Sequence, residues 1–231
     1  MAEKNDKKII RAWTFYDWAN TSFPLVINSA IFPDLYAAKT EIRDVNKVLI
    51  SDNVTAFGHI FKNTELYSYF VSFALLVVCF TAPVLSGIAD YKGNKKRFLA
   101  QFCILGSFSC AGLFFFDKEN IVLSMIPFVT ATIGYWGSLV FYNAYLPEIT
   151  STENQDKVSA RGFALGYLGS SILLIINLVF IMTNTFSKLF DSPGIDARIA
   201  LVTVAVWWFG FAQYTLKFLP KGTLTRTPGC N

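Results

Sequence analysis

Long apolar blocks alternate with short polar segments along the whole chain. Each block is close to the roughly 17 to 25 residues that a helix needs to cross a bilayer. The pattern predicts an all-α polytopic membrane protein with six transmembrane helices, at about 12–37, 67–89, 98–116, 121–145, 161–184 and 198–219. Surrounding membrane lipids are therefore an expected partner.

Composition agrees with this pattern. The chain has 231 residues, of which 53% are hydrophobic and only 16% charged, against roughly 25% charged residues in soluble domains. It contains no phosphate-binding glycine loop and no Ser/His/Asp or HExxH arrangement, so neither an ATPase nor a hydrolase is expected. The four cysteines form no CxxC pair and no cluster with histidine. We therefore expect no enzyme, no cofactor and no metal site.

The distribution of positive charge predicts the orientation. If the N-terminus is cytoplasmic, 13 of the 20 Lys and Arg residues fall on the inner side, as the positive-inside rule requires. The expected organisation is a cytoplasmic N-terminus (1–11), a membrane bundle (12–219) and a polar tail (220–231), in a multi-pass protein of the bacterial inner (plasma) membrane with both termini cytoplasmic. The net charge of +4 then needs no nucleic-acid partner.

The first predicted helix carries polar residues inside its apolar run. At 100° per residue, Asp17, Thr21, Pro24 and Asn28 share one face, and Asn20 lies at the edge of that face. A carboxylate near the membrane interior costs roughly 3 kcal/mol even on the more lenient insertion scale. A partner helix or a water-filled cavity next to this face would offset that cost.

Two interpretations of this polar face remain open. In the functional one, the face borders a solute pathway or a proton-coupling site, the usual role of ionisable residues inside membranes. In the other, Asp17 lies near enough to the cytoplasmic interface to be solvated or to pair with Arg11.

The loop between the second and third helices has a second distinctive pattern, PVLSGIADYKGNKKR at 83–97. Asp90 is placed to cap a helix end, Gly93 allows a tight turn, and Lys95 and Lys96 begin a basic cluster. Such a loop can pair charges across neighbouring helix ends and hold one conformation. The alternative is an ordinary basic loop that only sets topology.

The last candidates lie on the fourth and fifth helices. Tyr142 and Asn143 could line a pathway or only fill and link the bundle, and Glu148 could gate a pathway or be an ordinary loop charge. On the fifth helix, small residues recur about every four positions and predict close helix packing, although the smooth ridge also suits a rocking motion. These are Gly162, Gly166 and Gly169.

The loop at 83–97 resembles the motif Gly-x-x-x-Asp-x-x-Gly-x-Lys/Arg-Lys/Arg of the major facilitator superfamily, which lies between helices two and three. Asp90, Gly93, Lys95 and Lys96 match, whereas Gly87 comes one residue after the first glycine position. Three further stretches resemble the vacuole-effluxer-like branch of that superfamily, whose fungal members export amino acids: AWTFYDWANTSFPLVINSAIFP (12–33), FYNAYLPEI (141–149) and SARGFALGYLGSS (159–171).

The resemblance implies secondary active transport of a small polar solute, such as an amino acid, by alternating access. It places Asp17, Asn20 and Asn143 on the central pathway and Glu148 at the cytoplasmic mouth of the fourth helix. The alternative function is that of a non-transporting six-helix membrane scaffold or sensor subunit.

Transporters of this superfamily usually combine two six-helix halves around the pathway. The chain therefore resembles an N-terminal half, and its polar tail resembles the start of the connector between halves. We expect a truncated transporter whose partner is the missing C-terminal half, or else a pair of copies of this chain.

Overall fold

The computed structural model describes residues 4–220, without the side chains of Asp90 and Lys92. The first predicted span is built from three helical segments in succession: α1 (Lys7–Asn20), a π-helix (Phe23–Ile31) and α2 (Phe32–Thr40). Asp6 caps α1, since its carboxylate accepts a hydrogen bond from the backbone N–H of Lys8 at 2.7 Å. The π-helix has a wider turn than an α-helix and so changes which side chains share a face.

Two short hairpins occupy the segment predicted as a polar link. Strand β1 (Ile42–Arg43) pairs with β2 (Leu49–Ser51), and β3 (Asn53–Ala56) pairs with β4 (His59–Lys62), both antiparallel. Phe57 and Gly58 both have positive φ between β3 and β4, as a tight two-residue hairpin turn requires.

The remaining predicted spans form one long helix each. They are α3 (Asn63–Lys92), α4 (Lys95–Gly112, followed by a 3-10 turn), α5 (Ile121–Ile149), α6 (Thr152–Thr183) and, after a short α7 (Thr185–Phe190), α8 (Ile195–Phe218). Within the described residues, these five helices are long and apolar enough to cross a membrane. The first predicted span, 12–37, is not among these five helices because the π-helix divides it into shorter segments.

The helices pack as a bundle around α1, α4, α5 and α8. Helix α4 lies against α5 and α8, α1 contacts α6 and α8, and α3 packs on α5. Hydrogen bonds tie α8 to α1, because Trp207 Nε1 donates to the carbonyl of Trp18 at 2.9 Å and Thr215 Oγ1 donates to the carbonyl of Ala12 at 2.8 Å. Helices α3 and α6 expose most of their apolar surface.

Two glycines that the sequence pattern did not single out allow a close approach of helices in the core. A Cβ on Gly106 of α4 would overlap the ring of Trp208, and one on Gly134 of α5 would lie 2.5 Å from the backbone of Gly106. Trp208 is fully buried. The absence of side chains therefore lets α4, α5 and α8 meet.

The turns between helices lie at two ends of the bundle. The motif end holds the start of α1, the turn at Gly93 and the α5–α6 connection, whereas the hairpin end holds the four strands and α7. Gly93 ends α3 with φ of 63°, which is the left-handed conformation that glycine adopts without strain. At the other end, Asp196 accepts hydrogen bonds from the backbone of Phe186 and Ser187 at 2.7 and 3.1 Å. Most of the predicted tail, 221–231, lies outside the described residues.

Candidate functional site

A cavity of about 260 Å³ lies between the first span and helices α5 and α6. Its polar wall combines a carboxylate, an amide and three hydroxyl groups, from Asp17, Asn143, Thr21, Ser29 and Ser159. Apolar and aromatic side chains complete it: Trp13, Pro24, Leu25, Tyr135, Leu139, Tyr142, Phe163 and Tyr167. The first span, α5 and α6 thus form an amphipathic concave site.

Asp17 is the central charge of this site. It is only 5% exposed, and its Oδ2 accepts a hydrogen bond from Tyr142 Oη at 2.7 Å. Neither Arg11 nor any other Lys or Arg side chain of the described residues forms an ion pair with it. The carboxylate is therefore largely buried and is held by a hydroxyl group instead of a cation.

Tyr142 is itself fixed by its neighbours. Its side chain is 2% exposed, its ring stacks on that of Trp13 with centroids 4.2 Å apart, and its carbonyl accepts a hydrogen bond from Trp13 Nε1 at 2.9 Å. These contacts restrict the phenol to one orientation. They position Tyr142 Oη to hold Asp17.

The small-residue ridge of α6 packs directly against α1. A Cβ on Gly162 would overlap Asp17 Oδ2, and one on Gly166 would lie 2.5 Å from Thr21 Oγ1 and 3.0 Å from the Asp17 carbonyl. A Cβ on Gly169 would lie 2.6 Å from the Trp18 ring. The glycines thus provide the space in which Asp17 and Thr21 lie.

The π-helix decides which residues of the first span reach the cavity. Asp17, Thr21 and Pro24 line it, but Ser29 takes the place predicted for Asn28. In a π-helix, residues five apart stack over each other, and Ser29 Oγ donates to the Pro24 carbonyl at 2.8 Å. Asn28 is exposed elsewhere on the surface.

Asn20 is not one of the residues that line the cavity. It is buried, and its Nδ2 has no hydrogen-bond partner among the described residues. Asn143, in contrast, is exposed and lines the cavity.

At the motif end, the predicted loop residues contact the ends of other helices. Lys95 Nζ forms an ion pair with Glu148 Oε1 at 2.5 Å, and Lys96 Nζ donates to the carbonyl of Leu219 at 2.7 Å. The first turn of α4 thereby contacts the ends of α5 and α8. Glu148 does not line the cavity.

Gly87, at the start of the predicted motif, is not closely packed. A Cβ on Gly87 would meet nothing within 4 Å, so close packing does not require glycine there. The side chain of Asp90 lies outside the described part of the structure. Residues 4–220 contain no group of His, Cys, Asp or Glu that could hold a metal ion.

The sequence pattern missed part of the cavity lining. Ser159, Phe163 and Tyr167 recur at intervals of four on α6, beside the glycine ridge. Because residues four apart share a helix face, this spacing is a signal that could have identified them. The position of Ser29 in the cavity wall depends on the π-helix, and no sequence pattern indicates it.

Comparison with known proteins identifies the family. The profile of the family described as "Vacuole effluxer Atg22 like" matches residues 5–155 and 148–230. The chain belongs to this family. The fold is accordingly half of a major-facilitator bundle, and the protein is a multi-pass integral membrane protein.

Several relatives support this assignment. The chain is 30% identical over 197 residues to YxiO of Bacillus subtilis, described as an uncharacterized MFS-type transporter, with 85% of this chain and 43% of YxiO covered. It is 22% identical over 227 residues to autophagy-related protein 22-1 of Aspergillus clavatus, covering 72% and 37% of the two chains. An uncharacterized Aquifex aeolicus protein is 25% identical over 229 residues, covering 93% and 53%.

The chain thus spans about two fifths to one half of the length of these relatives. No solved structure matches it significantly. The family and the transporter among the relatives agree with the prediction that the protein is not an enzyme.

Proposed function

We propose that this chain forms the N-terminal six-helix half of a secondary active transporter. The transporter moves a small polar solute, with amino acids as candidates, across the bacterial inner membrane by alternating access. One observation carries the proposal: the largely buried carboxylate of Asp17, held by Tyr142, faces a cavity between membrane-spanning helices.

The position of Asp17 along α1 supports a role inside the membrane. Arg11, the last basic residue before it, lies six positions earlier on α1, which corresponds to about 9 Å at 1.5 Å per residue. The hydrocarbon core is about 30 Å thick. In our proposal Arg11 lies at the cytoplasmic interface, so that Asp17 lies within the cytoplasmic half of this core, where its burial against α5 and α6 removes it from solvent.

The family supports transport as the overall activity. The family description names an effluxer, and YxiO is described as an MFS-type transporter. Because the chain spans only part of these relatives, a second six-helix half, or a second copy of this chain, supplies the opposite wall of the pathway in our proposal. The excess of Lys and Arg at the motif end supports the proposal that this end and both termini are cytoplasmic.

The contacts at the motif end suggest how the cytoplasmic side closes. Lys95 holds Glu148 at the end of α5, and Lys96 holds the carbonyl of Leu219 after α8. We propose that these contacts stabilise a state closed at the cytoplasmic side. Opening would break them while the smooth glycine ridge of α6 moves against α1.

Solute flux through Asp17→Asn tests the proposed function. The full-length protein is reconstituted in liposomes, and uptake of radiolabelled amino acids is compared between the wild type and the variant. We expect the variant to lose flux while its membrane insertion, abundance and thermal stability are retained. Wild-type flux from a well-inserted Asp17→Asn protein would contradict the pathway role, and absence of flux from the wild type would favour the scaffold alternative.

A further inference from the structure

The charged side chains that line the cavity in the described part of the chain are all acidic. Thirteen residues line the cavity, and Asp17 is the only acidic one, with no Lys, Arg or His among them in the described part of the chain. A buried carboxylate without a cationic partner is costly in a membrane. A positively charged group that enters the site would compensate this cost, as would a proton on the carboxylate.

The carboxylate also keeps hydrogen-bonding capacity toward the cavity. Tyr142 donates to Oδ2, and among the described residues no donor contacts Oδ1. An ionised carboxylate accepts several hydrogen bonds through its two oxygens. Asp17 can therefore accept further N–H groups without losing its contact with Tyr142.

Two exposed aromatic rings stand in the same wall. Phe163 and Tyr167 are each 60% exposed, lie one turn apart on α6 and line the cavity with Asp17. They flank Gly166, which packs against α1 beside Asp17. The faces of aromatic rings attract cations electrostatically, an arrangement that proteins use to recognise ammonium groups.

We propose that this cavity recognises the ammonium group of the transported solute through Asp17, with Phe163 and Tyr167 as the aromatic wall around it. The inference rests on the proposed transport function and specifies the solute class as a small organic cation, including the ammonium end of an amino acid. The 260 Å³ of the cavity lies just below the roughly 300–1,000 Å³ of ligand pockets. A carboxylate end of the solute would have to bind elsewhere in the transporter, because this cavity offers it no cation.

A matched set of probes tests this inference. Isoamylamine, 4-methylvalerate and isoamyl alcohol share one alkyl group and differ in carrying a positive, a negative or no charge. Their binding to the purified full-length protein in detergent is measured by thermal shift at pH 7. We expect isoamylamine to stabilise the protein at concentrations at least tenfold lower than either of the other two probes.

Substitutions in the cavity wall test whether isoamylamine binds there. Asp17→Asn should weaken isoamylamine binding at least tenfold, and the double variant Phe163→Leu/Tyr167→Leu should weaken it severalfold. Phe108→Leu is the matched control, because Phe108 is an exposed aromatic residue on α4 outside the cavity, and it should leave binding unchanged. If Asp17→Asn does not fold, Asp17→Glu keeps the charge and should retain at least part of the affinity.

The outcomes separate this inference from the proposed function. Binding of 4-methylvalerate as tight as that of isoamylamine, or unchanged amine affinity in Asp17→Asn, would overturn ammonium recognition. If solute flux is then inhibited by 4-methylvalerate but not by isoamylamine, transport stands and the inference falls. Amine binding that depends on Asp17 without any solute flux would instead support the inference and contradict transport.

Discussion

Replacement of Gly166 by alanine tests whether close contact between α1 and α6 is needed for transport. The added Cβ would lie 2.5 Å from Thr21 Oγ1, 3.0 Å from the Asp17 carbonyl and 3.1 Å from Asp17 Cβ, whereas ordinary contacts begin at 3.4 Å. The Thr21 hydroxyl can rotate away. The Asp17 backbone cannot, so the two helices must separate by several tenths of an ångström.

Two opposing terms set the expected loss of stability. Overpacking a filled site costs about 1–3 kcal/mol, whereas alanine gains up to about 1 kcal/mol over glycine in a helix. With the full alanine gain, a net destabilisation of about 0–2 kcal/mol follows. Because a displacement approaching 1 Å can cost roughly a hundredfold in a positioned site, transport should fall about 10- to 100-fold, more than the stability loss alone would suggest.

Gly210→Ala is the matched control for Gly166→Ala. Gly210 lies inside α8, and a Cβ there would meet nothing within 4 Å, so only the helix-propensity term applies. Flux and thermal unfolding are measured for both variants in the full-length protein. If Gly166→Ala transports like Gly210→Ala, the close α1–α6 contact does not position the site and the reasoning fails.

Three further substitutions test other contacts. Glu148→Gln should cost about 1–3 kcal/mol, because it removes one charged partner of the largely buried Lys95, and the charge-swapped pair Lys95→Glu/Glu148→Lys should recover part of the loss in thermal unfolding. No recovery would show that the ion pair itself does not matter. Gly106→Ala should destabilise the protein by about 1–3 kcal/mol through overlap with Trp208; an unchanged melting temperature would contradict the described core. Asp196→Ala should lower the melting temperature, because two backbone N–H groups lose their acceptor, and amide exchange of α7 should rise; unchanged exchange would refute that role.

Hydrophobic patterning predicted the architecture because membrane-spanning helices are read from long apolar blocks. The helices at 67–89 and 198–219 correspond to α3 and α8, whose ends lie within a few residues of the predicted ones. The sequence did not reveal the π-helix. A period of 3.6 residues put Asn28 on the polar face, whereas the wider turn after Pro24 brings Ser29 there instead.

Contacts that depend on how the helices cross also could not be predicted from the sequence. Asp17 could be recognised as unusual because a charged residue in an apolar block is rare, but its partner Tyr142 lies 125 positions away. Gly106 has no glycine four residues before or after it in α4, so only the tertiary structure shows that it accommodates Trp208.

Solvent access to Ser29 is the most direct test of the claim that the Asp17 face borders a solute pathway. Ser29→Cys is introduced into the full-length protein with its native cysteines replaced, and its reaction with a membrane-impermeant thiol reagent is followed in intact membranes. Ile104→Cys on the exposed apolar surface of α4 is the control. The account predicts that Ser29→Cys reacts at least tenfold faster than Ile104→Cys and is protected by transported solute. Equal, slow labelling at both positions would contradict it.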